Sequence, residues 1–393
     1  MEYLPLTKCL EKIIDNRGKT VPTCESGIPL IATNCIRMDS LYPVFDKVRY
    51  ISQHTYDNWF RAHLRPNDIL FVNKGTPGKV ALCPDPLNFV IAQDAIGLRA
   101  NEDIVYWKYL YYYLKSSKVQ SVVENNNVGL IIPHFKKEFL DRIEIPILPM
   151  SEQIKIGDTL HSIDIQIQRN KDMCHKLQVL AQTTYSRWFN QFEFPNEDSL
   201  PYKSSGDKMI WNNELKREIP DGWKVMALGD LLSEEEKSKI QVGEAKEYSG
   251  IFPFFTSGEE ILLYKDFFVD GPHCFLNTGG NADVKFFDGK ASYSTDTWCV
   301  SFGEFTYYIN EFLQLIKPQI DKLFFSGSGL QHLQKESFKQ LKICTPDRKT
   351  LMLYNKIVSG CYKQIAKMYI ENNRLQSLKS NILPLLINGQ INL

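Results

Sequence analysis

The sequence predicts an α+β chain in which two mixed globular regions stand in tandem, each followed by one long helix. Three observations carry this. The stretch from Ser151 to Asn190 has no proline and one glycine over forty residues, and its apolar positions recur at heptad spacing. A stretch 198 residues later repeats that spacing. Elsewhere short apolar runs alternate with glycine-rich polar turns, the pattern of strands and connections rather than of a helical bundle.

Taken in order, residues 1–148 form the first globular region. Arg17-Gly18-Lys19-Thr20 reads as a polar turn and Gly27 to Ile31 as an extended piece. Asp68 to Val72 and Val80 to Cys83 read as strands around the turn Asn73 to Lys79. Phe89 to Ala92 and Ala95 to Leu98 are strands around Gln93-Asp94, Tyr106 to Leu114 a buried helix, and Asn125 to Gly129 a loop. Residues 149–190 form the first long helix, started by Pro149 and Ser151-Glu152-Gln153. Its seam is Leu160, Ile163, Ile167, Asn170, Cys174, Leu177, Ala181, Thr184 and Trp188. At about 1.5 Å per residue the helix is roughly 60 Å long and needs a partner.

That partner lies in the same chain. Adding 198 to the seam gives Val358, Cys361, Ile365, Met368, Asn372, Leu375, Lys379, Ile382 and Leu386. The same offset aligns Lys137-Glu138 with Lys335-Glu336 and Ile143-x-Ile145 with Leu341-x-Ile343. Between the repeats, residues 191–220 are rich in Pro, Asn, Ser and charge and read as a connector. Residues 221–344 form the second globular region. There Gly250 to Phe255 parallels Gly27 to Ile31, Cys274 to Gly279 parallels Leu70 to Gly75, and Ser294 to Thr297 parallels Ala92 to Ala95. Gly327 to Leu330 parallels Gly129-Leu130. Residues 345–393 hold the second long helix, Leu351 to about Leu383, which Pro384 ends or kinks, and a tail.

Bulk numbers narrow the class. The chain has 393 residues, room for two or three domains, and no apolar run long enough to span a membrane. The N-terminus lacks a signal-peptide pattern, and nine cysteines without a CxxC pair imply a reducing cytoplasm without disulfide framework or structural zinc. Net charge is zero but uneven: +2 over 1–149, +1 over 150–190, −8 over 191–344 and +5 over 345–393. Binding to nucleic acid would therefore rest on local patches.

No catalytic motif is present. Gly75 to Val80 lacks the spacing and hydroxyl of a P-loop, and the seven histidines form no HxH or HExxH pair. The chain has no Pro-Pro pair, which the tetrapeptide of an adenine methyltransferase would contain. Asp230 with Glu244-Ala245-Lys246 superficially resembles a nuclease trio, but ExK tripeptides are common. What remains are polar loops. In the first region Arg17, Lys19, Thr20, Asn34, Arg37, Asn73, Lys74, Thr76, Lys79 and Asn126 combine cations for phosphate with amides for base edges. In the second, Ser257, Asn277, Thr278, Asn281, Thr295, Ser328, Gln331 and His332 offer mainly neutral hydrogen-bonding groups. Ordinary turn chemistry is the alternative for each one alone.

The pattern resembles the specificity subunits of type I restriction-modification systems, across essentially the full chain. The resemblance rests on Asp68-Ile69-Leu70-Phe71 with Gly75-Thr76-x-Gly78-Lys79, and on Gln93-Asp94-x-Ile96-Gly97. It rests also on Ile145-Pro146-x-Leu148-Pro149-x-x-Glu152-Gln153 and Ile219-Pro220-x-Gly222-Trp223. Departures are Asn73 and Lys74, where the family often has arginine, and Lys349-Thr350, where the second helix would carry Glu-Gln. The resemblance implies two target-recognition domains separated by two conserved helices that form an antiparallel coiled coil. Each domain would read one half of a bipartite, asymmetric site on double-stranded DNA. The chain itself would do no chemistry and hold no cofactor. Two methyltransferase subunits would use S-adenosylmethionine, and restriction subunits would use ATP and Mg²⁺. Tyr185 and Phe189 are expected on exposed helix faces where such partners could dock. A coiled-coil protein-binding scaffold, or the DNA-binding part of a nuclease or methyltransferase, remains an alternative.

Overall fold

The computed structural model describes residues 2–16, 20–91, 93–128, 132–327, 329 and 331–390. Contacts divide the chain into two units, Met1–Arg169 with Leu375–Leu393, and Asn170–Arg374. The first unit contains, in chain order, β1 (Glu2–Pro5), β2 (Leu10–Ile14), β3 (Ile28–Ile31), β4 (Arg49–Ile51), α1 (Gln53–Trp59), β5 (Ile69–Val72), β6 (Val80–Leu82), β7 (Val90–Ile91), β8 (Ala95–Ala100), α2 (Trp107–Leu114), α3 (Ser117–Asn125) and β9 (Glu144–Ile147). Its main sheet is antiparallel in the order β2-β8-β5-β6. Every residue of β5 and β8 is buried, as expected of strands covered on both faces; β5 is an unbroken apolar run, and β8 is interrupted only by Arg99 and Gly97. A second sheet, β4-β3-β7, pairs β3 with β7 in parallel, and β1 pairs with β9. Asp68, just before β5, is buried in a two-pronged ion pair with Arg99 of β8, at 2.9 and 2.8 Å.

The first long helix, α4 (Met150–Tyr185), continues into a π turn at Ser186–Asn190. The second unit then holds β10 (Met209–Asn212), β11 (Arg217–Pro220), β12 (Lys224–Ala227), α5 (Leu228–Leu231), β13 (Ser233–Glu234), α6 (Val242–Lys246), β14 (Phe252–Phe255), β15 (Ile261–Tyr264), β16 (Pro272–Asn277), β17 (Val284–Asp288), β18 (Ser292–Tyr293), β19 (Thr297–Ser301), α7 (Thr306–Phe324), β20 (Phe325–Ser326), β21 (His332–Leu333), α8 (Lys335–Lys339) and β22 (Lys342–Thr345). Its sheets repeat those of the first unit: β13-β19-β16-β17, then β15-β14-β18 with β14 and β18 parallel, then β12 with β22. The stretch read as a connector is more than that. It carries the β10–β11 hairpin, and Phe192, Phe194 and Ile219 are buried in the core of this unit, with Phe194 stacked on Trp223 at 5.0 Å. Isolated aromatics between prolines and charges have no periodicity, so composition alone hides them.

The second long helix, α9, runs from Arg348 to Ile387 with Pro384 inside it. The expected end at Leu383 is therefore too early; a proline in the last turn removes one backbone bond and leaves most of the helix intact. The two helices begin differently. Gln153 of α4 is 1% exposed, accepts from Tyr106 N at 2.9 Å and donates to Leu148 O at 2.9 Å. At the start of α9, Asp347 takes the capping role, accepting from Thr350 N at 2.9 Å and Thr350 Oγ1 at 2.7 Å. Gly157, the one glycine of the forty-residue stretch, lets α4 lie close on α2: a Cβ there would sit 2.9 Å from Tyr109 N.

Within each unit α4 and α9 run antiparallel. In the first, Lys379 donates to Asp164, and Leu160 shares a core with Leu386 and Ile387. In the second, Asn170 donates to Asn372 at 2.9 Å and Cys174 meets Met368 at 3.8 Å. Of the seam, Leu160, Ile163, Ile167 and Val358 are buried, while Leu177, Ile365, Met368, Leu375 and Ile382 are half-buried. Lys379, a charge at a seam position, is 6% exposed, and the Asp164 carboxylate that pairs with it also accepts from Tyr112 Oη at 2.8 Å. Tyr185 and Phe189 are not exposed: at 4% and 2% they belong to the core of the second unit. Large apolar residues left exposed on these helices include Ile154, Met173, Val179 and Leu180 of α4 and Met352, Leu353, Ile357, Ile370, Leu378 and Leu385 of α9.

In the same core, Tyr362 of α9 accepts from Asn310 Nδ2 at 2.7 Å and donates to Glu311 Oε1. Glu311 is 2% exposed, its Oε2 has no hydrogen-bond partner, and burial pushes its carboxyl up to about 7.

Lys379→Met leaves the buried Asp164 carboxylate without its cation, and should lower stability by about 3–5 kcal/mol, whereas Asp164→Leu with Lys379→Met should recover part of that loss, the Tyr112 hydroxyl then lacking its acceptor. Thermal unfolding of the three proteins checks it. For Glu311 the folded pKa lies above the ordinary 4.5, so the folded state binds the proton more tightly. Its contribution is complete below 4.5 and lost as pH rises through about 7, and Glu311→Gln should flatten that part of the midpoint-against-pH curve.

Candidate nucleic-acid interface

In each unit three chain segments converge at one end of the four-stranded sheet. In the first, β5 and β8 end their pairing at Val72 and Ala95. Beyond it Asn73 N and Lys74 N donate to Asp94 O at 3.1 and 3.3 Å, Gly75 N donates to Pro133 O at 2.9 Å, and Phe135 N donates to Asn73 O at 2.8 Å. The second unit builds the same frame. Thr278 N donates to Asp296 O at 3.1 Å, Gly280 N to Gln331 O at 3.0 Å, and Leu333 N to Thr278 O at 3.1 Å. Gly75 and Gly280 both have positive φ, 86° and 79°, which favours glycine at that turn.

This frame corrects the alignment of the repeats by one residue. Asn73 corresponds to Thr278 and Gly75 to Gly280, so the Gly75-to-Gly279 match read from the sequence is displaced. The loop from β5 to β6 (73–79) is one residue longer than that from β16 to β17 (278–283), which is why a constant offset fails there. The offset of 198 holds again at the third segment, where Phe135 corresponds to Leu333.

The predicted contact residues fare unequally. Arg17, Lys19 and Ser328 lie outside the described residues. Thr20 is exposed, as are Asn34 and Arg37, which bind Asp46, Arg37 at 3.0 Å. Both follow Thr33, whose Oγ1 would lie 3.9 Å from a Cβ at Gly75. Asn73 and Asn277, expected to reach base edges, are 1% and 5% exposed, so neither amide is presented at the surface. Asn126 closes the end of α3, donating to Val122 O at 2.7 Å and accepting from Arg142. Lys74 and Thr76 are exposed, Lys74 near Asp94 at 3.8 Å, and Lys79 is half-buried. In the second unit Asn281, Gln331 and His332 are exposed, while Ser257, Thr278 and Thr295 are half-buried. Thr278 Oγ1 is committed to Asp296 O at 2.8 Å.

Sequence reasoning missed two residues. His134 lies in the first frame at the position of His332, 198 residues earlier, and the repeat offset was a signal that could have found it. Lys285 of β17 ties the loop after β14 to the sheet, donating to Thr256 O at 2.8 Å and Gly258 O at 2.6 Å. It also lies 3.3 Å from Asp283, which Lys317 approaches too. Burial alone would raise the Asp283 carboxyl, but these ammonium groups hold it below its ordinary value. A lysine so committed is not free for phosphate, and the surface of the second frame is mainly neutral.

The nuclease-like trio does not assemble: Asp230 accepts from Ala227 N at 3.2 Å, and Lys246 pairs with Glu260 at 3.0 Å. Among the described residues no group of three or more His, Cys, Asp or Glu is placed to hold a metal ion, and no helix is long and apolar enough to cross a membrane.

Comparison with known proteins bears on this geometry. The type I restriction modification DNA specificity domain matches residues 34–178 and 220–380. The MjaIX specificity subunit of Methanocaldococcus jannaschii is 30% identical over 186 residues, covering 47% of this chain and 40% of that protein. The HindI specificity subunit of Haemophilus influenzae is 20% identical over 405 residues, covering 84% of this chain and 87% of that one. The crystal structure of a type I restriction-modification S subunit from M. genitalium shares the fold at a TM-score of 0.61, with 16% identity and coverage of 98% of this chain and 95% of that one.

Proposed function

The chain belongs to the type I restriction modification DNA specificity family, matched over two stretches that together exceed half its length, and from that premise we propose that each unit reads one half of a bipartite, asymmetric DNA site. One observation carries the reading. The two units build the same backbone frame but line it with different side chains, Lys74 and Thr76 in the first, Asn281 and Gln331 in the second. One shared frame gives one mode of approach to a duplex. Unlike side chains then select unlike bases, because donors and acceptors on the groove edge distinguish base pairs.

The chain performs no chemistry in this reading and holds no cofactor. Modification subunits, two by the twofold repeat, use S-adenosylmethionine, and restriction subunits use ATP and Mg²⁺, all in the cytoplasm. Exposed apolar helix residues, among them Val179, Leu180, Leu353 and Ile357, are available to a partner protein. In this reading the paired helices set the spacing of the half-sites.

The test is to co-express the chain with a type I methyltransferase subunit of its own genome and map methylated adenines. One motif with two unlike halves and a fixed gap is expected; a stable complex that methylates no motif would favour a protein-binding scaffold. Deleting one heptad from each helix, in register, removes about 10 Å, or roughly three base pairs. The mapped motif should keep both halves and shorten its gap. A change in the half-site sequences themselves would defeat the idea that the helices act as a spacer.

A further inference from the structure

The two frames can be laid on one another, and that separates what the units share from what they do not. Most shared features have a structural task. Gly75 and Gly280 supply the positive φ of the turn. Asp94 and Asp296 offer the carbonyls that receive the amides of Asn73 and Thr278. Phe135 and Leu333, at 0% and 8% exposure, plug the cores. One shared residue has no such task. His134 and His332 precede those core plugs at the same position, each bridged to the turn that contains the glycine, His134 to Lys74 and His332 to Gly279.

In an extended chain neighbours face opposite ways, so the residue before a buried plug is turned outward. His332 is exposed and His134 half-buried. No described residue hydrogen-bonds to, or forms an ion pair with, either imidazole. The side chains around them diverge, Lys74 and Thr76 against Gly279 and Asn281. A reader of two different sequences that keeps one free donor in one place on both sides keeps it for something both half-sites have in common. The sugar-phosphate backbone is that common element, and an imidazole N–H is a suitable donor to a phosphate oxygen.

We infer that His134 and His332 are equivalent phosphate-contacting residues, one for each half-site, which position the duplex against the divergent loops that read bases. The inference rests on the DNA-reading function proposed above. It assigns the two histidines to orientation of the duplex, and Thr76 and Asn281 to choice of sequence.

The experiment uses the full chain assembled with its methyltransferase subunit and duplexes carrying the mapped motif, each base pair of both halves changed in turn. His134→Ala and His332→Ala should each weaken binding by the same factor on every duplex, roughly three- to tenfold. The methylation motif should stay unchanged, and lysine at either position should restore binding. Asn281→Ala, in contrast, should relax the preference at particular base pairs of one half-site. A histidine variant that relaxed the preference at one base pair, such as a methylated adenine, would make that histidine a base reader and overturn the inference. Unchanged affinity on all duplexes would overturn it as well. Because each variant alters one unit, retained discrimination at the other half-site shows that the assembly is intact. If the unaltered complex discriminated among no duplexes, the DNA-reading function itself would fall, and this inference with it.

Discussion

Neither long helix can satisfy its apolar seam alone. A straight helix of this length with a stripe of Leu, Ile and Val facing water is not stable, and the molecule resolves this by folding the chain back so that α4 and α9 cover one another. The unit boundaries fall inside both helices, at Arg169/Asn170 and Arg374/Leu375. The first unit therefore takes its second helix piece from the far end of the chain, while the second unit is one continuous stretch with a piece of each helix at its two ends. The polar residues at the seam act as register marks. Asn170 against Asn372 and Lys379 against Asp164 each need one partner, and slipping the helices by a turn would strand a buried charge.

The repeat makes the fold legible twice. The seam, several of the strands and the mixed sheet and helix content could be read from the residues, because heptad spacing and buried apolar runs are local signals. Less legible were features that depend on contacts distant in sequence. Tyr185 and Phe189 have the spacing of an exposed helix face, yet β10–β11 and α7 belong to the core that encloses them. Asn73 and Asn277 carry the chemistry of base readers, but they sit at strand ends whose side chains turn inward. Nothing in the local sequence marks Lys285; only the tertiary structure shows that carbonyls of the loop after β14 use it.

The motifs that carry the family resemblance mostly hold structure. Asp68 closes on Arg99 inside the sheet, Gln153 fastens the start of α4, and Gly75 makes the turn. The chemistry of recognition then falls to residues that no motif marks, as expected when relatives share a scaffold and differ in what they bind.

The frame that presents those residues is made of backbone amides and carbonyls, with glycine needed at one position. Backbone groups do not depend on which side chain their residue carries. A loop fastened in this way can exchange almost every side chain on its outer surface without losing its shape, and loops of seven and six residues are both accommodated. New preferences can therefore arise by point changes on a surface that is neutral for folding. One gene carrying two such surfaces can alter them independently, so the repertoire available to it grows as the product of the two rather than as their sum.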